Sequence, residues 1–308
     1  MLSRIAEALF WIGRYVERSG GTARILDVHL QLLLEDPWVD EDTACRALFA
    51  VMGTSVEPGV AVDRDQVVQT LGLDTSNPAS IAHSITAARE NARRAREIIS
   101  IELWESLNQT NNRLPRTVPM DKTHLFFTWV RDRAALALGV VDSAMSRDDA
   151  WHFFSMGRAL ERADTTARLL ATRSVSELTG PSWTTILRSC GAYEAHLRSA
   201  KAGPTAASAA QFLLVDRSFP RSVLASFLTA EQCLRAIDPI AAVPVVGAAQ
   251  QVLGRIRSEL EYRPISASDG GLGRAAQEVQ AAVSQASDAI ADRYFPSIAM
   301  PVWIGEAI

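Results

Sequence analysis

The stretch WIGRYVERSGGTARIL, residues 11–26, is written again inside FSMGRALERADTTARLL, residues 154–170. Aligned from Gly13 to Gly157, a shift of 144 positions, the two agree without a gap at eight of fourteen places and share G-R-x-x-E-R-x-x-x-T-A-R-x-L. Such self-similarity is the signature of an internal duplication, one structural unit used twice. The spacing is helical. At about 100° per residue, Arg14, Glu17, Arg18 and Arg24 share a stripe roughly a third of the circumference wide, with Ile12, Tyr15, Val16, Ala23 and Leu26 mostly on the other side. The second copy places Arg158, Glu161, Arg162 and Arg168 in the same stripe, flanked by Leu160, Ala167 and Leu170.

The same period runs through the chain. Leu2, Ile5, Leu9, Ile12, Val16 and Ala23 fall on one face behind Ser3 as N-cap, which predicts a helix over 3–35 ended by Asp36-Pro37. Gly20-Gly21 inside it raises the prospect of a kink. Further helices are expected near 41–52 and 64–72, and from Pro78 to Asn108. Others follow near 120–145, from the S-x-x-D capping pattern at Ser146 to the Gly180-Pro181 stop, and near 182–201, 205–215, 220–236, 244–262 and 273–294. AAVPVVGAAQ, residues 241–250, is the one segment that tempts a strand reading. The fold class is therefore all-α: a duplicated helical bundle of roughly ten helices, the long motif helices related by a pseudo-twofold axis. A soft boundary divides it into halves 1–118 and 119–308 packed as one body.

An exposed Arg–Glu neighbour pair on one helix contributes only about 0.3–0.5 kcal/mol, too little to explain the same residue types at the same turn in both copies. Two readings remain open: a buried network in which each glutamate is gripped by arginines of a neighbouring helix, and a receptor for a carboxylate or phosphate, since each stripe has three arginines to one glutamate. In ARENARRAREIISIELWESLN, Arg89, Arg93, Arg96, Ser100 and Trp104 line a further stripe flanked by Glu90 and Glu97. Alone it reads as a salt-laced surface helix; beside the other two it becomes a candidate facing helix. The candidate anion-binding set is thus Arg14, Glu17, Arg18, Arg24, Arg89, Arg93, Arg96, Arg158, Glu161, Arg162 and Arg168.

Composition removes several function classes. The formal charge of −4, from 31 Lys+Arg against 35 Asp+Glu, does not suit a nucleic-acid binder. No run of about 18 uncharged apolar residues suggests a membrane span, and the early charges in MLSRIAEALFWIGRYVER do not suit a signal peptide. Three scattered cysteines, Cys45, Cys190 and Cys233, fit a reducing cytoplasm. P-loop, G-x-G-x-x-G, G-x-S-x-G and H-E-x-x-H motifs are lacking, so the sequence implies no cofactor. The nearest approaches to metal-ligand spacing, Asp121-x-x-His124 and Asp149-x-x-His152, stand at predicted helix starts where an Asp favours the helix dipole, so no metal is expected.

Taken together, MLSRIAEALFWIGRYVER, ARENARRAREIISIELWESLN, GRALERADTTARLL and FLLVDRSFPRSVLASFL resemble the alpha-E family, a bacterial all-helical domain named for its Glu-Arg motif. Gly20-Gly21 departs from the ordinary helix formers expected after the first Glu-Arg. The resemblance implies a setting rather than a reaction: a peptide synthesis or modification system with a circularly permuted ATP-grasp ligase of the carboxylate–amine type and a transglutaminase-like protein as partners. It transfers no catalytic residue. Two functions follow as expectations. One is an auxiliary partner subunit that binds a peptide or a small carboxylate or phosphate through the Arg/Glu stripes. The alternative is an enzyme in its own right, a transferase or ligase whose arginines stabilise an anionic intermediate. A glutamate flanked by arginines is a weak base, which favours the subunit.

Overall fold

The computed structural model describes residues 1–35, 38–57, 59–175, 182–199, 205–238, 247–262 and 271–296, with side chains described only to residue 172 in the third of these ranges. Within them the chain forms thirteen α-helices and no strand. In order these are α1 (Ser3–Glu35), α2 (Glu41–Met52), α3 (Arg64–Val67), α4 (Ile81–Arg94), α5 (Ile101–Asn112), α6 (Thr123–Ala144), α7 (Asp149–Val175), α8 (Trp183–Ser189), α9 (Tyr193–Ser199), α10 (Ala206–Val215), α11 (Val223–Ile237), α12 (Ala248–Tyr262) and α13 (Gly271–Tyr294). The all-α class expected from the period stands. The Asp36-Pro37 and Gly180-Pro181 stops and the first six residues of AAVPVVGAAQ lie outside the described residues.

Local chemistry explains where the helices differ from the expected ones. The helix expected from Pro78 to Asn108 is two. Ala95 leaves helical geometry at φ −101°, ψ 14°, and Ser100 opens α5 by accepting a hydrogen bond from the Leu103 N–H. The real start is Ser80, which accepts from His83 N–H, so Pro78 stands outside the helix. Gly191, at φ 63°, divides the expected 182–201 helix into α8 and α9; only a residue without a Cβ takes that left-handed geometry readily. Ser146 does not cap α7; Asp148 does, its carboxylate accepting from the N–H groups of Ala150 and Trp151 at 3.0 and 3.3 Å. Gly20-Gly21 produces no break in α1. A Cβ on Gly20 would come to 3.0 Å from the Ala134 Cβ, so this glycine admits α6 at close range rather than bending its own helix.

The two motif helices, α1 and α7, form the central pair. Helices α4 and α6 flank α1, α11 and α13 flank α7, and α5 and α12 close the outer sides. Of the short helices, α2 packs on both α1 and α7, and α8 packs on α1. Between the long helices the core is filled by Leu9, Phe10, Ile12, Leu26, Phe154, Leu160 and Leu170, all at most 1% exposed. The closest approach is at the repeat's own glycines. A Cβ on Gly13 would stand 2.0 Å from the Phe154 carbonyl oxygen, and one on Gly157 2.0 Å from that of Phe10. Backbone lies against backbone there, and this close crossing brings the Arg and Glu side chains of the following turn within reach of the opposite helix.

Candidate functional site

The glutamates of the repeat find their partners across the crossing. Glu161 accepts from Arg14 Nε at 2.8 Å, and from Arg18 through Nε at 2.6 Å and Nη2 at 2.9 Å. Glu17 lies 2.9 Å from Arg162 Nε and accepts from Arg221 Nε at 3.0 Å. Neither carboxylate is paired along its own helix, so the surface-pair reading does not hold. Glu161 and Glu17 are both buried, at 3% and 6% exposure. Burial pushes the Glu161 carboxyl up, but Arg18 and Arg14 outweigh it and hold its pKa at about 2. Glu17 is likewise lowered against its burial, by Arg162, Arg221 and then Arg158. The two grips differ in quality. Arg162 Nε and Glu17 Oε2 are close but off the hydrogen-bond line, and neither atom has a hydrogen-bond partner.

These depressed pKa values set a pH dependence. A carboxyl ionised more easily folded than unfolded stabilises the fold above its unfolded pKa and loses that contribution as pH falls. For Glu161 the window runs from its ordinary 4.5 down to about 2. Acid titration followed by circular dichroism should therefore show stability falling through that range, and Glu161→Gln should flatten the dependence. An unchanged profile in the variant would refute the assignment.

Arg221 was not among the expected site residues, because it lies outside both motif copies. Its signal is a second recurrence, D-x-S-x-P-x-S, at Asp74–Ser80 and Asp216–Ser222. Both stretches fold alike: Asp74 and Asp216 accept from the N–H of Ser76 and Ser218 at 2.8 Å, Ser80 and Ser222 donate to the Asp74 and Asp216 carbonyls, and the same two serines cap α4 and α11. Thr166 of the repeat donates to the Arg221 carbonyl at 2.9 Å and pins the second loop to α7.

The other expected residues stand in four different settings. Arg158 lies 3.6 Å from Asp142 and adds positive potential at Glu17. Arg24 has no carboxylate partner among the described residues, and burial, followed by the neighbouring Arg221, lowers its pKa to about 10. Arg168 donates Nε to Asp164 at 2.8 Å and reaches over Gly53, the glycine at φ 70° that ends α2. Arg89, Arg93 and Arg96 are gathered about Glu90 and Trp104, and none of them pairs with Glu17 or Glu161. Arg89 and Arg93 pair with Glu90, while Arg89 and Arg96 stand 5.6 and 5.1 Å from the Trp104 ring centroid. Of the two histidines in Asp-x-x-His spacing, His124 meets Asp27 at 2.7 Å. Among the described residues no cluster of three potential metal ligands forms.

Beside this network lies a cavity of about 400 Å³. Its lining takes Arg18 and Thr22 from α1, Glu161, Asp164, Thr165 and Arg168 from α7, the end of α2 and the turn after it from Val51 to Ser55, and Asn77-Pro78-Ala79 from the first D-x-S-x-P-x-S loop. Chemically it offers guanidinium and hydroxyl donors around space sufficient for a small ligand. It offers no strong base, since Glu161 is held ionised by Arg14 and Arg18 and Asp164 is bonded to Arg168. Nor does the fold present an activated thiol: burial pushes Cys45, Cys190 and Cys233 up to about 12.

A family model, Alpha-E, described as "a predicted alpha-helical domain with a conserved ER motif", matches residues 1–295. Uncharacterized proteins of Mycobacterium bovis and Mycobacterium tuberculosis are 24% identical over 249 residues, covering 72% of this chain. The chain spans only 28% of the length of those relatives. No solved structure matches. Among the described residues no helix is long and apolar enough to cross a membrane.

Proposed function

This chain belongs to the Alpha-E family, and on that premise we propose that it is an auxiliary subunit of a bacterial carboxylate–amine ligase system, binding an anionic substrate or partner group beside its Arg–Glu crossing. The observation that carries this reading is the state of the arginines. Arg14 and Arg18 are fixed by Glu161, Arg168 by Asp164, and the cavity next to them stays open instead of being filled. Preorganised guanidinium groups without a base suit recognition of an anion better than proton transfer. That the relatives carry the matching segment within a much longer chain supports a domain that works alongside another, here an ATP-grasp-type ligase and a transglutaminase-like protein in the cytoplasm. The alternative, a transferase or ligase whose arginines stabilise an anionic intermediate, requires a base at the cavity that the paired Glu161 and Asp164 do not supply.

Affinity capture of the tagged chain from native lysate at gentle salt, read by mass spectrometry, tests the reading. An ATP-grasp-type ligase should be recovered repeatedly. Recovery of this chain alone, in repeated trials, would overturn the subunit reading and favour the enzyme.

A further inference from the structure

The two sides of the crossing present the same positions in different states. Around the open cavity stand Arg18, Thr22, Glu161 and Arg168; shifted by 144 positions, their counterparts Arg162, Thr166, Glu17 and Arg24 line a second space. A left-handed glycine sits under the terminal arginine on each side. A Cβ on Gly53 would come within 2.9 Å of Arg168, and one on Gly191 within 3.3 Å of Arg24. The second space holds only about 10 Å³, room for about one water. What fills it is Arg221. The corresponding place in the first D-x-S-x-P-x-S loop is Ala79, which ends at its Cβ and leaves the cavity open. The same arrangement is plugged once and left open once, although folded chains normally pack such space closely.

We propose that the open cavity is a binding site for a small monoanionic carboxylate, one or two amino-acid residues in size. This deepens the anion-binding reading above and rests on it. Size comes first, since 400 Å³ is at the lower end of ligand pockets, which run from about 300 to 1,000 Å³. Donors come next. Arg18 spends Nε and Nη2 on Glu161, and its Nη1 has only the Pro78 carbonyl at 3.5 Å. Arg168 spends Nε on Asp164, and its Nη groups have no acceptor among the described residues. Charge then selects the ligand. Arg18 and Arg168 of the lining, with Arg14 bonded to Glu161 from outside it, stand against Glu161 and Asp164, an excess of one positive charge that one carboxylate neutralises and a phosphate dianion exceeds. Thr22 and Thr165 add hydroxyls, while Ile25 and Met52 provide an apolar wall for a short side chain.

The test is titration calorimetry on the full chain with N-acetylalanine, N-acetylalanylalanine and inorganic phosphate. At least one of the two carboxylates should bind with one-to-one stoichiometry, and phosphate should bind at least tenfold more weakly. Arg168→Gln, whose own side chain is part-exposed, should weaken binding at least tenfold while the protein still melts cooperatively. Ala79→Arg, which copies the plug of the second side, should abolish it. If Ala79→Arg fails to fold, Thr165→Val takes its place, with a smaller loss expected. Failure of both carboxylates to bind, phosphate bound as tightly, or undiminished binding by Arg168→Gln would each overturn the assignment. Such a failure, with the ligase still recovered from lysate, leaves the subunit reading standing; lost recovery with intact binding does the reverse.

Discussion

Glu161→Gln should lower the free energy of unfolding by about 3–5 kcal/mol, the usual cost of removing one partner from a buried ion pair. The change keeps the shape of the side chain and removes only the charge. Arg14 and Arg18, 9% and 20% exposed, would then be held in a poorly hydrated place without their carboxylate. Chemical denaturation measures the loss, and a change below about 1 kcal/mol would show the grip to be dispensable. Glu17→Gln should cost less. Glu161 accepts three aligned hydrogen bonds, whereas Glu17 accepts one from Arg221 and has Arg162 nearby but misaligned. An equal or larger loss at Glu17 would mean that hydrogen-bond alignment does not govern the strength of these pairs.

The second large effect is expected from a single methyl group. Gly13→Ala or Gly157→Ala should destabilise by about 3 kcal/mol or more, although alanine is the better helix former. Each new Cβ would meet a backbone carbonyl of the opposite motif helix at 2.0 Å, and backbone cannot rotate away as a side chain can. Relief requires separating α1 from α7, which also stretches the Arg–Glu pairs one turn further along. Gly21→Ala is the control on the same helix. Its Cβ would find Thr165 Cγ2 at 4.0 Å, an ordinary contact, and the variant should gain about 0.5–1 kcal/mol from helix propensity. Thermal melting of the three proteins decides the matter: similar behaviour of all three would refute the close crossing.

The sequence by itself determined the helical class, the two motif helices and the stripe that carries their charged residues. These are properties of one chain segment at a time: the 3.6-residue period sorts Arg14, Glu17 and Arg18 onto one face whatever lies opposite. It did not locate the breaks at Ala95 and Gly191, because Ser100 and Gly191 act through single backbone hydrogen bonds and one dihedral angle that periodicity averages away. Only the tertiary structure decided which charges pair. A stripe has no address for its partner, and the crossing at Gly13 and Gly157 gives Glu161 to Arg14 and Arg18 and Glu17 to Arg162. Arg221 enters from a loop 204 residues away, brought there by the packing of α11 on α7. The open cavity is likewise a fact of three dimensions: a short side chain at Ala79 and a long one at Arg221 differ by a few atoms in sequence, and only packing turns that difference into one empty space and one filled space.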